Sequence, residues 1–406
     1  MPDAVLGRIL RIVAARSLNT LGRQVINATV VWELYGDTHN FLVIAGLGFV
    51  QVIPVILLFV PAGTWVDRSD RRQLATWAVA ITGVIGVGLA LASAFGASAI
   101  AFYALLFAQG CVNVVHAPAS ASLIPLILPR AELGRTNRIT SSVQELAGIL
   151  GPALAGLALI WVAPQWNYAF VAVTGIASAL MYRGLPPARA IATGTKEARA
   201  DWRVGLRFIW SSPLLLPALT LDMFAVLFAG VSSLTPAIAT DILQTNAFGY
   251  GVLRSAMSAG AVLAAVIGGR LPPWRRPGRV LLIVVALFGA GIIGIGLSRS
   301  LPLTVILLVF CGGLDNISVV IRSTLEQLVV PDAIRGRVSA VHYVFIGMSN
   351  ELGAAESGVA AFAIGTVPAI VVGGALAIAV AGIVAVKWRA LAAMPPLAEL
   401  KPEESG

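Results

Sequence analysis

Ionisable and amide side chains set inside long apolar runs are the residues of this sequence best placed to do chemistry. A charge at the centre of a bilayer-length run costs about 2.5–3.5 kcal/mol or more unless it meets a wet interior or a partner, so each one marks a site by default. At about 100° per residue, Arg16, Asn19, Thr20, Arg23 and Asn27 fall on one stripe about 100° wide, and Gln109, Asn113, His116 and Ser120 form a tighter one. Asp315, Ser318, Arg322 and Glu326 share a third face, spaced so that Arg322 can pair with Glu326 one turn away. Polar faces turned toward a common interior make an aqueous path for a solute, and Arg23, Asn27, Asn113, His116, Asp315 and Arg322 are assigned to that path.

Carboxylates add a second kind of chemistry. Glu145, Asp222, Glu351 and Glu356 also lie within apolar runs. An acid in a low-dielectric site is neutral when protonated and holds a cation when ionised, which is the basis of proton coupling. These four are the coupling candidates, whereas Glu33, near the outer end of its run, ranks below Glu145 and Asp222. The alternative for every acid is a fixed ion pair with Arg23, Arg254 or Arg322. His116 and His342 stand alone in their runs, which favours hydrogen-bonded structural roles over a metal or proton relay. Cys111 and Cys311 have neither metal-ligand nor disulfide spacing, so no metal and no cofactor is expected.

The elements that position these groups follow from composition. The chain has 406 residues, 58% hydrophobic and 12% charged, against about 25% charged in soluble domains. Apolar segments near 12–35, 41–61, 74–95, 98–117, 138–162, 166–184, 213–239, 247–269, 280–298, 301–321, 338–363 and 366–387 predict twelve membrane spans. Arginines in the first run, and no convincing cleavage site, make it a retained span rather than a signal peptide. The formal charge of +9 would suggest nucleic acid in a soluble protein, but 24 of the 28 Lys and Arg lie on or beside one set of loops. That asymmetry places both termini in the cytoplasm and removes nucleic acid as a partner.

Two halves are expected. Residues 1–184 form a six-helix bundle, 185–212 a basic cytoplasmic linker, 213–390 a second bundle and 391–406 a cytoplasmic tail. An internal repeat at an offset of 202 supports this: Pro129, Ala131, Gly134, Arg135, Leu150, Gly151, Ala153 and Gly156 recur as Pro331, Ala333, Gly336, Arg337, Leu352, Gly353, Ala355 and Gly358. Parallel repeats of this kind build alternating-access transporters. The linker could touch anionic headgroups, but it reads more simply as a solvated connection.

Between the second and third spans stands Gly63-Thr-Trp-Val-Asp67-Arg68-Ser-Asp70-Arg71-Arg72. It resembles the loop signature of the major facilitator superfamily, and that resemblance implies a conformational latch made by Gly63, Asp67, Arg68, Arg71 and Arg72. Physically, the glycine would allow close helix approach and Asp67 could cap a helix or pair with an arginine. The matching loop of the second half, Gly268-Gly269-Arg270 to Arg275-Arg276, lacks the acid, so any latch is asymmetric. In the fifth span, Gly148-Ile-Leu-Gly151-Pro152-Ala-Leu-Ala-Gly156 resembles the Gly-Pro signature of antiporter-type exporters, with Ala147 and Ala155 where glycine is usual. Small residues at this spacing allow close packing, and the proline allows a kink.

Trp202-Arg-Val-Gly205-Leu-Arg207-Phe, Arg335-Gly-Arg337-Val-Ser-Ala, Ser349-Asn-Glu351-Leu-Gly353 and Glu356-Ser-Gly358 resemble the branch of that superfamily containing the enterobactin exporter and macrolide-efflux proteins. The resemblance implies an all-α integral membrane protein of twelve transmembrane helices in two pseudo-symmetric bundles. It further implies a monomeric, proton-coupled exporter of a small amphipathic molecule, drug-like or siderophore-like, in a bacterial plasma membrane. Its partners would be the solute, protons and the lipid bilayer. A lysolipid flippase or small-solute importer of the same fold is the alternative. A membrane enzyme, sensor or primary pump is disfavoured, since the sequence has no nucleophile-base pair and no phosphate-binding loop.

Overall fold

The computed structural model describes residues 3–188, 202–270, 274–331 and 334–400, and all regular structure among them is helical. The first six spans are α1 (Asp3–Thr38), α2 (Phe41–Arg68), α3 (Arg71–Ala94), α4 (Ala99–Ile127), α5 (Arg130–Ala158) and α6 (Pro164–Arg183). A short α7 (Trp202–Ser211) precedes the second set. That set comprises α8 (Leu215–Phe228), α9 (Val231–Ala237), α10 (Ala247–Gly268), α11 (Pro277–Leu297), α12 (Leu301–Val329), α13 (Arg335–Ile364) and α14 (Thr366–Lys387), with a final turn α15 (Arg389–Ala392).

Local chemistry sets the boundaries. Asn40 caps α2, its side chain accepting from the Leu42 N–H at 2.9 Å, and Asp70 caps α3 through the Arg72 and Gln73 N–H groups. Proline opens α6, α11 and α12, where its missing donor costs nothing. Among the described residues, eight segments are long and apolar enough to cross a membrane. The helices of the first, fifth, sixth and eleventh spans are more polar, and three of them carry the ionisable residues singled out above.

Two features differ from the sequence expectation. Several helices overrun their apolar stretch: α4 has 29 residues, about 43 Å of helix, because intrahelical hydrogen bonding continues past the bilayer-length run. The seventh span is not one helix but α8, a break at Ala229 and Gly230, then α9 and a π-turn at Ile238–Ile242. At Gly230 α13 comes close: a Cβ there would fall 2.8 Å from Ser357 Oγ and 3.0 Å from Gly353 O. Interruptions of this kind in a spanning helix lie at functional positions more often than elsewhere.

The chain divides into two compact units, 1–193 with 245–255 and 194–244 with 256–406. In the first, α1 packs on α5 and α6, α2 and α3 pack on α4, and α3 packs on α6. The second has α11 on α12 and α14, and α13 on α7, α8 and α14. The repeat is therefore carried in packing as well as in sequence, since α5 meets α1 as α13 meets α8. Outward positions such as Val84, Val87 and Leu91 of α3 and Val173, Ile176 and Leu180 of α6 are exposed, as lipid-facing residues must be.

Candidate transport pathway and its intramembrane charges

In the first unit, α1 is clamped on two sides. A Cβ at Gly22 would lie 2.7 Å from Thr174 Oγ1 of α6, and one at Gly151 would lie 2.5 Å from Gln24 Cβ, so α5 rests on the residue two positions further on. Hydrogen bonds edge the polar stripe: Asn19 Nδ2 is 3.4 Å from His116 Nδ1 of α4, and Gln144 Nε2 of α5 donates to Thr20 Oγ1 at 3.3 Å. Arg16, Arg23 and Asn27 lie between those edges, partly buried, and make no hydrogen bond or ion pair among the described residues.

His116 is buried, and its Nε2 lies 3.3 Å from the Tyr182 hydroxyl of α6, so both ring nitrogens are engaged. It braces α1, α4 and α6 rather than offering a free nitrogen to a solute. Asn113 Oδ1 accepts from Gln109 Nε2 at 3.1 Å, and the same nitrogen reaches Thr82 Oγ1 of α3 at 3.1 Å. Glu33 accepts from Ser93 at 2.5 Å and from Tyr168 at 2.6 Å, so both its oxygens hold α1 to neighbouring helices.

In the second unit, the expected pairing of Arg322 with Glu326 does not form. Arg322 makes a salt bridge with Asp222 of α8, and its Nε donates to the carbonyl and hydroxyl of Ser318 at 3.3 and 3.2 Å. Glu326 instead pairs with His342 of α13 and accepts from Ser339. Spacing on one helix sees only partners on that helix, whereas α8 and α13 bring Asp222 and His342 within reach of α12. His342, expected to stand alone, has its carboxylate partner, and its Nε2 is buried with no partner among the described residues. Nothing in the local sequence around either residue signals this contact.

A cavity of about 20 Å³ opens beside the Asp222 and Arg322 pair, lined by Asp222, Asp315 and Ser318 on its polar side and by Val285, Phe288 and Leu314 among its apolar walls. It has room for about one water molecule. Asp315 makes no hydrogen bond or ion pair among the described residues. Among the other candidates, Glu356 is half-buried beside Ser357 Oγ at 3.5 Å and Glu351 is half-buried on the same helix. The Glu145 side chain lies outside the described residues. No group of three or more His, Cys, Asp or Glu among the described residues is placed to hold a metal.

The charged loop between α2 and α3 differs in detail from its expected roles. A Cβ at Gly63 would meet nothing within 4 Å, so that glycine is not a close-approach point. Asp70 rather than Asp67 caps the helix, and the Asp67 side chain lies outside the described residues. Asp70 also accepts from the Ala188 N–H at 3.3 Å, the Arg71 N–H donates to Ala188 O, and Arg72 Nη1 donates to Leu185 O at 3.1 Å. Arg68 is exposed in the last turn of α2. In α5, Pro152 lies within the helix, and Gly156 packs on Ala247 and Gly251 of the same unit.

Comparison with known proteins bears on the family and the fold. The family model described as Major Facilitator Superfamily matches residues 12–354. The chain is 28% identical over 300 residues to the enterobactin exporter EntS of Escherichia coli O81 (strain ED1a), covering 73% of this chain and 71% of that protein. The counterpart from Escherichia coli O139:H28 (strain E24377A / ETEC) is 27% identical over the same shares. Among solved structures, a bacterial homolog of the human lysosomal transporter Spinster, inward-facing and unoccupied, superposes with a TM-score of 0.73 at 17% identity, covering 96% of this chain and 98% of the other. The nucleoside transporter NupG gives 0.74 at 11% identity, covering 93% and 99%. Identities this low establish the fold alone.

Proposed function

The chain belongs to the Major Facilitator Superfamily and is a multi-pass membrane transporter, and from that premise we propose that it is a proton-coupled exporter of a small amphipathic organic molecule. It works by alternating access in a bacterial plasma membrane, as a monomer with both termini in the cytoplasm. Export is supported by the similarity to the enterobactin exporter and by the Gly151, Pro152 and Gly156 pattern of α5. The observation that carries the coupling is that Asp222, ion-paired with Arg322, lines a small cavity together with Asp315.

Buried pairs of this kind are costly to break by removing one partner, because the other charge is left without compensation. Protonation does the same thing reversibly. A proton on Asp222 cancels its charge and loosens its hold on Arg322, which keeps Ser318 and has the Asp315 carboxylate two turns away on its own helix. Loss of the proton restores the pair. Protein motion thereby becomes linked to proton movement, with Asp222 the first acid in the chain of events and Glu145, Glu351 and Glu356 the further candidates. In the first unit Arg23, Asn27 and Asn113 present the polar side of the path, while Gly63, Asp67, Arg68, Arg71 and Arg72 form the latch.

Expression of the chain in a host lacking its own efflux pumps provides the test. Across a panel of amphipathic drugs and siderophores, the expected outcome is lower cellular accumulation of at least one compound, with the difference lost when a protonophore collapses the gradient. Raised accumulation of a compound would instead assign uptake.

A further inference from the structure

The transport reading above leaves the charge of the solute open. We propose that it is an organic anion, and that Arg23, with Arg16 two turns away on α1, receives its carboxylate or similarly planar oxyanion in the first unit.

Helix geometry comes first. The residues on either side of Arg23 are covered, Gly22 by α6 and Gln24 by α5. The two edges of the polar stripe are tied as well, Asn19 to α4 and Thr20 to α5. Arg16, Arg23 and Asn27 occupy the strip between those edges, half-buried and without a hydrogen bond or ion pair among the described residues. Seven residues, about 10 Å of helix, separate the two guanidinium-bearing positions.

Charge comes second. The side chains edging the strip are amides, hydroxyls and an imidazole whose nitrogens are both engaged. Among the described acids of the unit, Glu33 already accepts two hydroxyls, Asp70 caps α3, Glu132 lies in the first turn of α5 and Asp37 is exposed at the far end of α1. Arg16 and Arg23 thus carry two positive charges unmatched by any ion pair among the described residues. Arg322 in the second unit sits in a comparable span but has its carboxylate supplied by Asp222. An intramembrane arginine with no partner anion among the described residues is a site that an arriving anion can complete, and the planar guanidinium fork suits a two-oxygen acid. The same two charges repel a cationic solute.

Equilibrium binding to the full chain in detergent tests this, with two dyes that share a xanthene ring and differ in charge. Carboxyfluorescein is the anion and rhodamine 123 the cation, each followed by fluorescence anisotropy. Wild-type protein is expected to bind carboxyfluorescein saturably and more tightly than rhodamine 123, a comparison that needs no variant. Arg23→Gln should weaken carboxyfluorescein binding by about tenfold or more. Arg23→Lys, which keeps the charge but not the fork, should weaken it by about threefold. Absence of saturable carboxyfluorescein binding, a preference for rhodamine 123, or unchanged affinity in a folded Arg23→Gln protein would each overturn the proposal. If the anion preference holds while reconstituted protein moves neither dye, the anion site stands and the export reading fails.

Discussion

Asp222 and Arg322 are separated by a hundred residues of sequence and joined by a salt bridge at the heart of the second unit. The i,i+4 spacing of Arg322 and Glu326 was legible, and the shared polar face was real, but the choice of partner was not. That choice depends on which helix packs alongside, and α8 and α13 each bring a group that the α12 sequence cannot reveal. The same limit hid the His342 partner of Glu326 and the two hydroxyls on Glu33. Stability should report the pairing directly. Asp222→Ala leaves Arg322 buried without its carboxylate and is expected to cost about 3–5 kcal/mol, with part of the loss returned by adding Arg322→Ala. Thermal unfolding in detergent measures both, and additive losses would mean the two residues do not act as a pair.

At the scale of elements, apolar run length located the spans but not the helix ends, because a helix needs no lipid to continue its hydrogen bonds. The break at Gly230 was invisible for a related reason: it coincides with a close approach to α13, a property of the neighbour rather than of the local sequence. Motif glycines were equally distinguishable only in three dimensions. Gly63 and Gly151 both stood out in the sequence, yet one faces open space and the other rests against α1. Gly151→Leu is therefore expected to destabilise the protein by about 1–3 kcal/mol, whereas Gly63→Leu stays within about 0.5 kcal/mol. Unfolding temperatures of the two variants, compared with wild type, decide this, and equal shifts would show that the packing of α5 on α1 is not tight.

For the whole molecule, the few charges left inside the spans divide unequally between the units. The first unit presents Arg16 and Arg23 of α1 without an ion pair among the described residues, and the second holds carboxylates around a paired arginine. The internal repeat was readable from eight matched residues, and its physical content is the equivalent packing of α5 on α1 and α13 on α8. The division of charge has no counterpart in the repeat, since Asn113 and Ser120 map onto Asp315 and Arg322. Symmetry therefore supplies the frame, and departures from it supply the chemistry. Proton coupling through the second unit is the central claim, and reconstituted flux tests it most directly. In proteoliposomes, an imposed pH gradient should accelerate movement of a transported solute by wild-type protein and leave Asp222→Asn unaffected by the gradient. Wild-type flux that is identical with and without the gradient would contradict the account.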